Sequence, residues 1–223
     1  MKVPEKTTII LYPDAGPLIT LAYADALDLL FIPGWQLVLV DMIYAEVTRS
    51  QTPTSARIRR WAQAGFARAL NSQQSPIADT PNQSRVAQSG PGQSGPAQSG
   101  PDQSGFAVIE RSIKSFSTRI HTQYTQNLAL AVDARRQKNN LGEFAIQEAM
   151  NECALQDLTQ TSVFLFEDHK IARASFLLPS NARKVSTRAF LQFLEALGRI
   201  ESGAAIERRA VSAGRAFSQI HFS

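Results

Sequence analysis

Four carboxylates stand where they could do chemistry together: Asp14, Glu46, Glu143 and Asp168. Asp14 follows the short β-rich run Thr7 to Tyr12. Glu46 lies one turn into the helix that follows the apolar run Leu37 to Val40. Glu143 opens the helix after Asn140, and Asp168 follows the apolar run Ser162 to Phe166. A sheet that carries these ends to one edge would gather the four acids in one cleft. Mg²⁺ and Mn²⁺ are hard cations that take carboxylate oxygens and retain water. Crowded like charges favour protonation unless a cation neutralises them. A cation so held can polarise a phosphodiester, lower the pKa of water and stabilise a leaving oxygen. Each acid also has a structural use. Asp14 and Asp168 could be N-caps, Glu143 a first-turn acid facing the helix dipole, and Glu46 a solvated helix residue.

Cations flank the acids. Arg57, Arg59 and Arg60 sit on one helical stretch, and Arg135, Arg136 and Lys138 on another, where they could hold phosphates or simply face solvent. Arg173 could hold a phosphate or pair with an acid of the cleft. The formal charge of +4 conceals this layout, because residues 141–179 carry −4 while 106–140 and 180–223 carry +4 each. No aromatic-rich stacking platform is evident, so no base preference can be read. Thr161 and Ser162 open their strand at the end opposite Asp168, and His121 has no partner at ligand spacing.

These positions require particular elements. The spacing predicts strands at Thr7 to Tyr12, Leu37 to Val40, Ser162 to Phe166 and a short one at Lys184 to Ser186. It predicts helices over Pro17 to Phe31, Met42 to Arg49, Thr54 to Leu70, much of Phe106 to Lys138, Leu141 to Asp157, about Asp168 to Phe176, and Arg188 to Leu197. Asn140 reads as an N-cap and Gly198 as a helix stop. Strands and helices alternate, and the strands are continuous apolar runs. That combination predicts an α/β fold: a three-layer α/β/α sandwich around a mostly parallel sheet of about four to five strands. Ligands in such folds sit at the carboxyl ends of the strands, where the four acids fall.

Residues 71–105 are unlike the rest. They hold five of the 12 Gly and five of the 11 Pro, with a QSGP repeat from Gln88. Such a stretch buries too little apolar surface to offset its chain entropy, so it reads as a disordered insert. One domain is then expected from 1–70 and 106–200, with 201–223 as a C-terminal helical tail. A single cysteine, Cys153, excludes an internal disulfide and reads as core packing beside Ala149 and Ala145. The apolar stretch Leu18 to Val40 is broken by Asp25, Asp28, Pro33 and Gly34, too often to span a bilayer. With no leader-like apolar segment after Met1, the expected location is the cytoplasm.

The segments Asp14-Ala-Gly-Pro-Leu-Ile-Thr-Leu-Ala22, Leu27-Asp-Leu-Leu30 and Leu37-Val-Leu-Val-Asp-Met-Ile-Tyr-Ala-Glu-Val47 resemble the opening of a PIN domain. The likeness is to the branch that begins Asp-x-x-Pro-Leu-Ile-x-Leu-Ala. Gly142-Glu143 with Ala145 and Ala149 resembles the third acidic motif of that family. Phe166-Glu-Asp-His-Lys-Ile-Ala-Arg-Ala174 resembles the fourth, and all occur in the family's order. The resemblance implies a parallel α/β/α fold and a Mg²⁺- or Mn²⁺-dependent ribonuclease, with RNA as substrate. Many bacterial members are VapC-type toxins neutralised by an antitoxin, and a homodimer is common. It implies that Asp14, Glu46, Glu143 and Asp168 are the catalytic acids. Asp14 and Asp168 would hold one metal, Glu143 would complete its site directly or through water, and Glu46 would bind a bridging water or a second metal. From the basic flanks rather than the resemblance, Arg57, Arg60 and Arg173 are the expected substrate contacts. Glu167-Asp168 stands where the family more often has Asp-Asp. A catalytically silent module binding RNA or a partner protein is the rival reading. A haloacid-dehalogenase-like phosphatase would need a second Asp two residues after Asp14, where Gly16 stands.

Overall fold

The computed structural model describes residues 8–74, 111–130, 140–167 and 177–216. Five strands form one sheet in the order β3-β2-β1-β4-β5, and every neighbouring pair is parallel. The strands are β1 (Ile9–Pro13), β2 (Gln36–Val40), β3 (Ile113–Phe116), β4 (Thr161–Phe166) and β5 (Ala182–Ser186). With helices on its faces the sheet makes a three-layer α/β/α sandwich. Leu11, Leu37, Leu39, Phe164 and Leu165 are buried at its centre, as continuous apolar runs covered on both faces require.

The chain runs outward from β1 through β2 to β3, then returns to the other side of β1 with β4 and β5. The order therefore reverses between β1 and β4, and that is where an open parallel sheet leaves a crevice at its carboxyl edge. In-register pairing brings Pro13 opposite Leu165, and the Asp14 amide donates to the Leu165 carbonyl at 2.9 Å.

The described α-helices are α1 (Ala15–Tyr23), α2 (Asp41–Thr48), α3 (Pro53–Gln74), α4 (Arg119–Ala129), α5 (Leu141–Gln156), α6 (Thr187–Ala196) and α7 (Gly203–Ser212). α5 packs on α2, α6 on β4 and β5, and α7 on α1 and α6. Within the expected tail, Gly203–Ser212 form a packed helix whose Ile206, Glu207 and Ala210 are buried.

Several elements differ from the sequence reading. The helix expected over Pro17 to Phe31 is broken after Tyr23. Asp25 takes a left-handed conformation (φ 52°), Ala26 N–H closes onto Leu21, and a separate 3₁₀ turn covers Leu27–Phe31. The stretch read as helical from Phe106 contains β3, an edge strand in which only Ile113 is fully buried. Residues 71–74, assigned to the insert, continue α3. The remainder of the insert, the basic run Arg135, Arg136 and Lys138, and the helix expected at Asp168 to Phe176 lie outside the described residues. Asn140 does stand at the N-cap of α5, but with left-handed φ of 78° and no side-chain capping bond. Gly198 ends α6 with φ 65°, as expected of a glycine stop. Among the described residues no helix is long and apolar enough to cross a membrane.

Candidate active site at the carboxyl edge

The first residue after β1 is Asp14, after β2 Asp41, and after β4 Glu167. Three strand ends therefore deliver an acid to the carboxyl edge, and the structure uses each differently.

Asp14 occupies the N-cap position of α1, yet its side chain accepts no capping hydrogen bond. It is 9% exposed. Burial pushes its carboxyl up to about 7, and the Ala15 amide offsets part of that rise. The negative charges of Glu143, Glu46 and Glu167 add to the upward push. The helix-cap explanation of Asp14 thus fails on geometry. What remains is a buried carboxylate under the like charges of three further acids, a costly arrangement unless a proton or a cation relieves it.

Glu143 stands in the first turn of α5 and Glu46 on the face of α2 that α5 approaches. A Cβ on Gly142 would lie 3.1 Å from Glu46 Oε2 and 2.7 Å from Ile43 Cδ1, so the glycine lets the two helices meet beside these acids. Glu46 stays open to solvent. Partial loss of its hydration and the charge of Glu143 still push its carboxyl up, while Arg49 pulls it down. Of the four acids singled out in the sequence, three are described: Asp14 feels the charges of Glu46 and Glu143, and Glu46 that of Glu143. The fourth, Asp168, lies outside the described residues, as does Arg173.

Glu167 is the acid that the sequence reading passed over in favour of its neighbour. Its Oε2 accepts from Thr20 Oγ1 at 2.9 Å and from Arg215 Nη2 at 3.0 Å, while Oε1 is buried without a hydrogen-bond partner. Burial raises this carboxyl, and Arg215, Thr20 and Thr187 pull it back. Asp41 is likewise committed. It accepts from the amides of Met42 (2.7 Å) and Thr118 (2.8 Å) and from Thr118 Oγ1 (2.8 Å), with His121 Nδ1 3.3 Å away. It therefore ties the start of α4 to the start of α2. His121, which has no ligand-spaced partner in the sequence, finds this one through the fold.

Three of the arginines of α3 are engaged by backbone carbonyls. Arg57 donates to the Ala22 carbonyl and lies 3.6 Å from Asp25, so it satisfies the C-terminal end of α1. That end is the far one from Asp14, across a nine-residue helix about 13 Å long. Arg59 donates to Thr48 O at 2.7 Å and Arg68 to Arg111 O at 3.2 Å. Arg60 is exposed on α3. Cys153 is half-buried against the core, and its thiol donates to Gln160 Oε1 at 3.1 Å.

The groups whose charges act on Asp14 are carboxylates, which suit Mg²⁺ or Mn²⁺ rather than a thiolate- or imidazole-seeking metal. Asp14, with no capping bond and like charges around it, is the observation that fits a cation. Among the described residues, no group of three or more His, Cys, Asp or Glu side chains is close enough to hold a metal by itself. Comparison with family models, with curated proteins and with solved structures gives no match to this chain.

Proposed function

We propose that the chain is a Mg²⁺- or Mn²⁺-dependent ribonuclease acting at the crevice between the ends of β1 and β4. The observation that carries this reading is Asp14: a buried acid at the sheet's switch point, without a capping role, pressed by Glu46, Glu143 and Glu167. Asp14, Glu143 and Asp168 are the residues that would hold the cation, with Glu46 beside them. When bound there, the cation supplies polarisation of the scissile phosphodiester and a lowered pKa for water. The protein's own part is placement. The β1–β4 ladder fixes Asp14, and the first turn of α5 fixes Glu143. Burial keeps the Asp14 carboxylate poorly hydrated, so that its charge calls for a cation. Arg49, exposed at the C-terminal end of α2, lowers the Glu46 carboxyl by its charge. RNA is the substrate by resemblance, not by any feature of the edge.

The test is cleavage of single-stranded RNA in Mn²⁺ by the full chain, by Asp14→Asn and by Asp168→Asn. Loss of cleavage in both variants, with unchanged far-ultraviolet circular dichroism, is expected. Cleavage at the wild-type rate in both would overturn the site. A small acidic DNA-binding protein encoded immediately upstream would make the ribonuclease the toxin of a toxin–antitoxin pair.

One observation favours the silent module instead. Glu167 is already engaged by Arg215 and Thr20, an internal satisfaction that an edge without metal would need. Failure of the wild-type chain to bind Mn²⁺ in the millimolar range would favour that reading.

A further inference from the structure

The chain supplies its own cation to the acidic edge. α7 ends in a turn that returns the backbone onto itself: Arg215 N–H bonds Ala210 O at 3.0 Å and Gly214 N–H bonds Val211 O at 2.9 Å. Gly214 makes this possible with φ 108°, a left-handed value open to glycine. The turn aims Arg215 at the β1–β4 crevice. Its Nη2 lies 3.0 Å from Glu167 Oε2 and its Nε 3.0 Å from Thr20 Oγ1. Thr20 donates to the same carboxylate oxygen at 2.9 Å, which closes a three-membered polar cluster. The two charged side chains are 10% and 7% exposed, and Thr20 is buried. α1 approaches so closely that a Cβ on Gly16 would lie 3.2 Å from Glu167 Oε2.

An ion pair so deep is a weak source of stability, because desolvating both groups offsets most of their attraction. Its electrostatic effect on the neighbouring acids is less ambiguous. A positive charge fixed among carboxylates opposes the arrival of another cation. We propose that Arg215 is a positioning residue that holds Glu167 in an internal ion pair and thereby restrains the affinity of the acidic edge for a divalent cation. The C-terminal turn after α7 then sets how strongly the site takes up metal, and loosening that turn frees a carboxylate for it. This inference rests on the reading of the edge as a cation site.

The experiment is calorimetric titration of Mn²⁺ alone into the full chain and three variants, with circular dichroism to establish folding. Arg215→Gln, which keeps bulk and hydrogen bonding but removes the charge, is expected to bind Mn²⁺ about tenfold more tightly, the scale of one charge removed close to a partly screened site. Arg215→Lys keeps the charge and is expected to match the wild type. Gly214→Val strains the turn without altering any charge, and tighter binding is expected there too. It serves as the decisive variant should Arg215→Gln fail to fold. A purely structural role would lower stability and leave Mn²⁺ affinity unmoved. Unchanged or weaker binding in folded Arg215→Gln or, where that variant does not fold, in folded Gly214→Val, beside a wild type that binds, overturns this inference alone. Absence of Mn²⁺ binding in wild type and variants overturns it together with the ribonuclease reading.

Discussion

A single carboxyl group decides much of the chemistry at the edge. Asp14 is raised to about 7, first by burial and then by three like charges. Between its unfolded value near 4 and its folded value, the native state binds a proton that the unfolded chain has released. The stabilisation this gives is complete below about pH 4 and is lost as pH rises through about 7. In metal-free buffer, urea unfolding is therefore expected to show stability falling by a few kcal/mol between roughly pH 4 and pH 8. Asp14→Asn is expected to flatten this window and to be the more stable protein at pH 8. A wild type whose stability rises over that range would contradict the burial argument. Asp14 was legible in the sequence because a strand-end acid ahead of a Pro-containing helix start has few possible places. Arg215 and Thr20 were not, since they meet Glu167 across separations of 48 and 147 residues. Arg57 misled for a related reason. In sequence, a helical arginine looks the same whether it caps a neighbouring helix or holds a phosphate. Arg57→Ala is expected to cost about 1 kcal/mol of stability through the lost Ala22 bond, and to leave RNA affinity within about twofold. Filter-binding and denaturation on the one variant check both.

Among the elements, those with continuous apolar runs could be read directly, because a parallel strand buried on both faces needs no alternation. β1, β2 and β4 lie within two residues of their expected bounds. β3 escaped notice because Ile113 is its one fully buried residue and its neighbours Lys114 and Ser115 face solvent. The break after Tyr23 was hidden by the apolar periodicity that continues through Leu27 and Leu30. Docking of β3 depends on a close approach: a Cβ on Gly65 of α3 would come within 2.3 Å of Ile113 Cγ1 and 2.4 Å of its Cδ1. Gly65→Ala is expected to destabilise by about 1–3 kcal/mol through overpacking. Ile113→Val, which removes the Cδ1 atom, is expected to recover part of that loss in the double variant. Additive losses in urea unfolding would show that the two sites do not touch.

For the whole molecule, the alternating pattern was enough to anticipate the sandwich and to direct attention to its carboxyl edge. It did not reveal the strand order. The order matters because the reversal between β1 and β4 makes Asp14 and Glu167 neighbours, one residue beyond each strand. Nor did it reveal that the last described helix returns to the same crevice and delivers Arg215 there. The charge layout keeps its acidic centre, while the Arg57, Arg59 and Arg68 side chains are spent on backbone carbonyls rather than on a phosphate track. The claim on which the rest depends is that the edge takes a divalent cation through Asp14. Calorimetric titration of Mn²⁺ into the full chain and into Asp14→Asn tests it most directly. The expected result is binding by the wild type and a loss of at least about tenfold in affinity, or about 1.4 kcal/mol, in the variant. Equal Mn²⁺ affinity in the two proteins would contradict it.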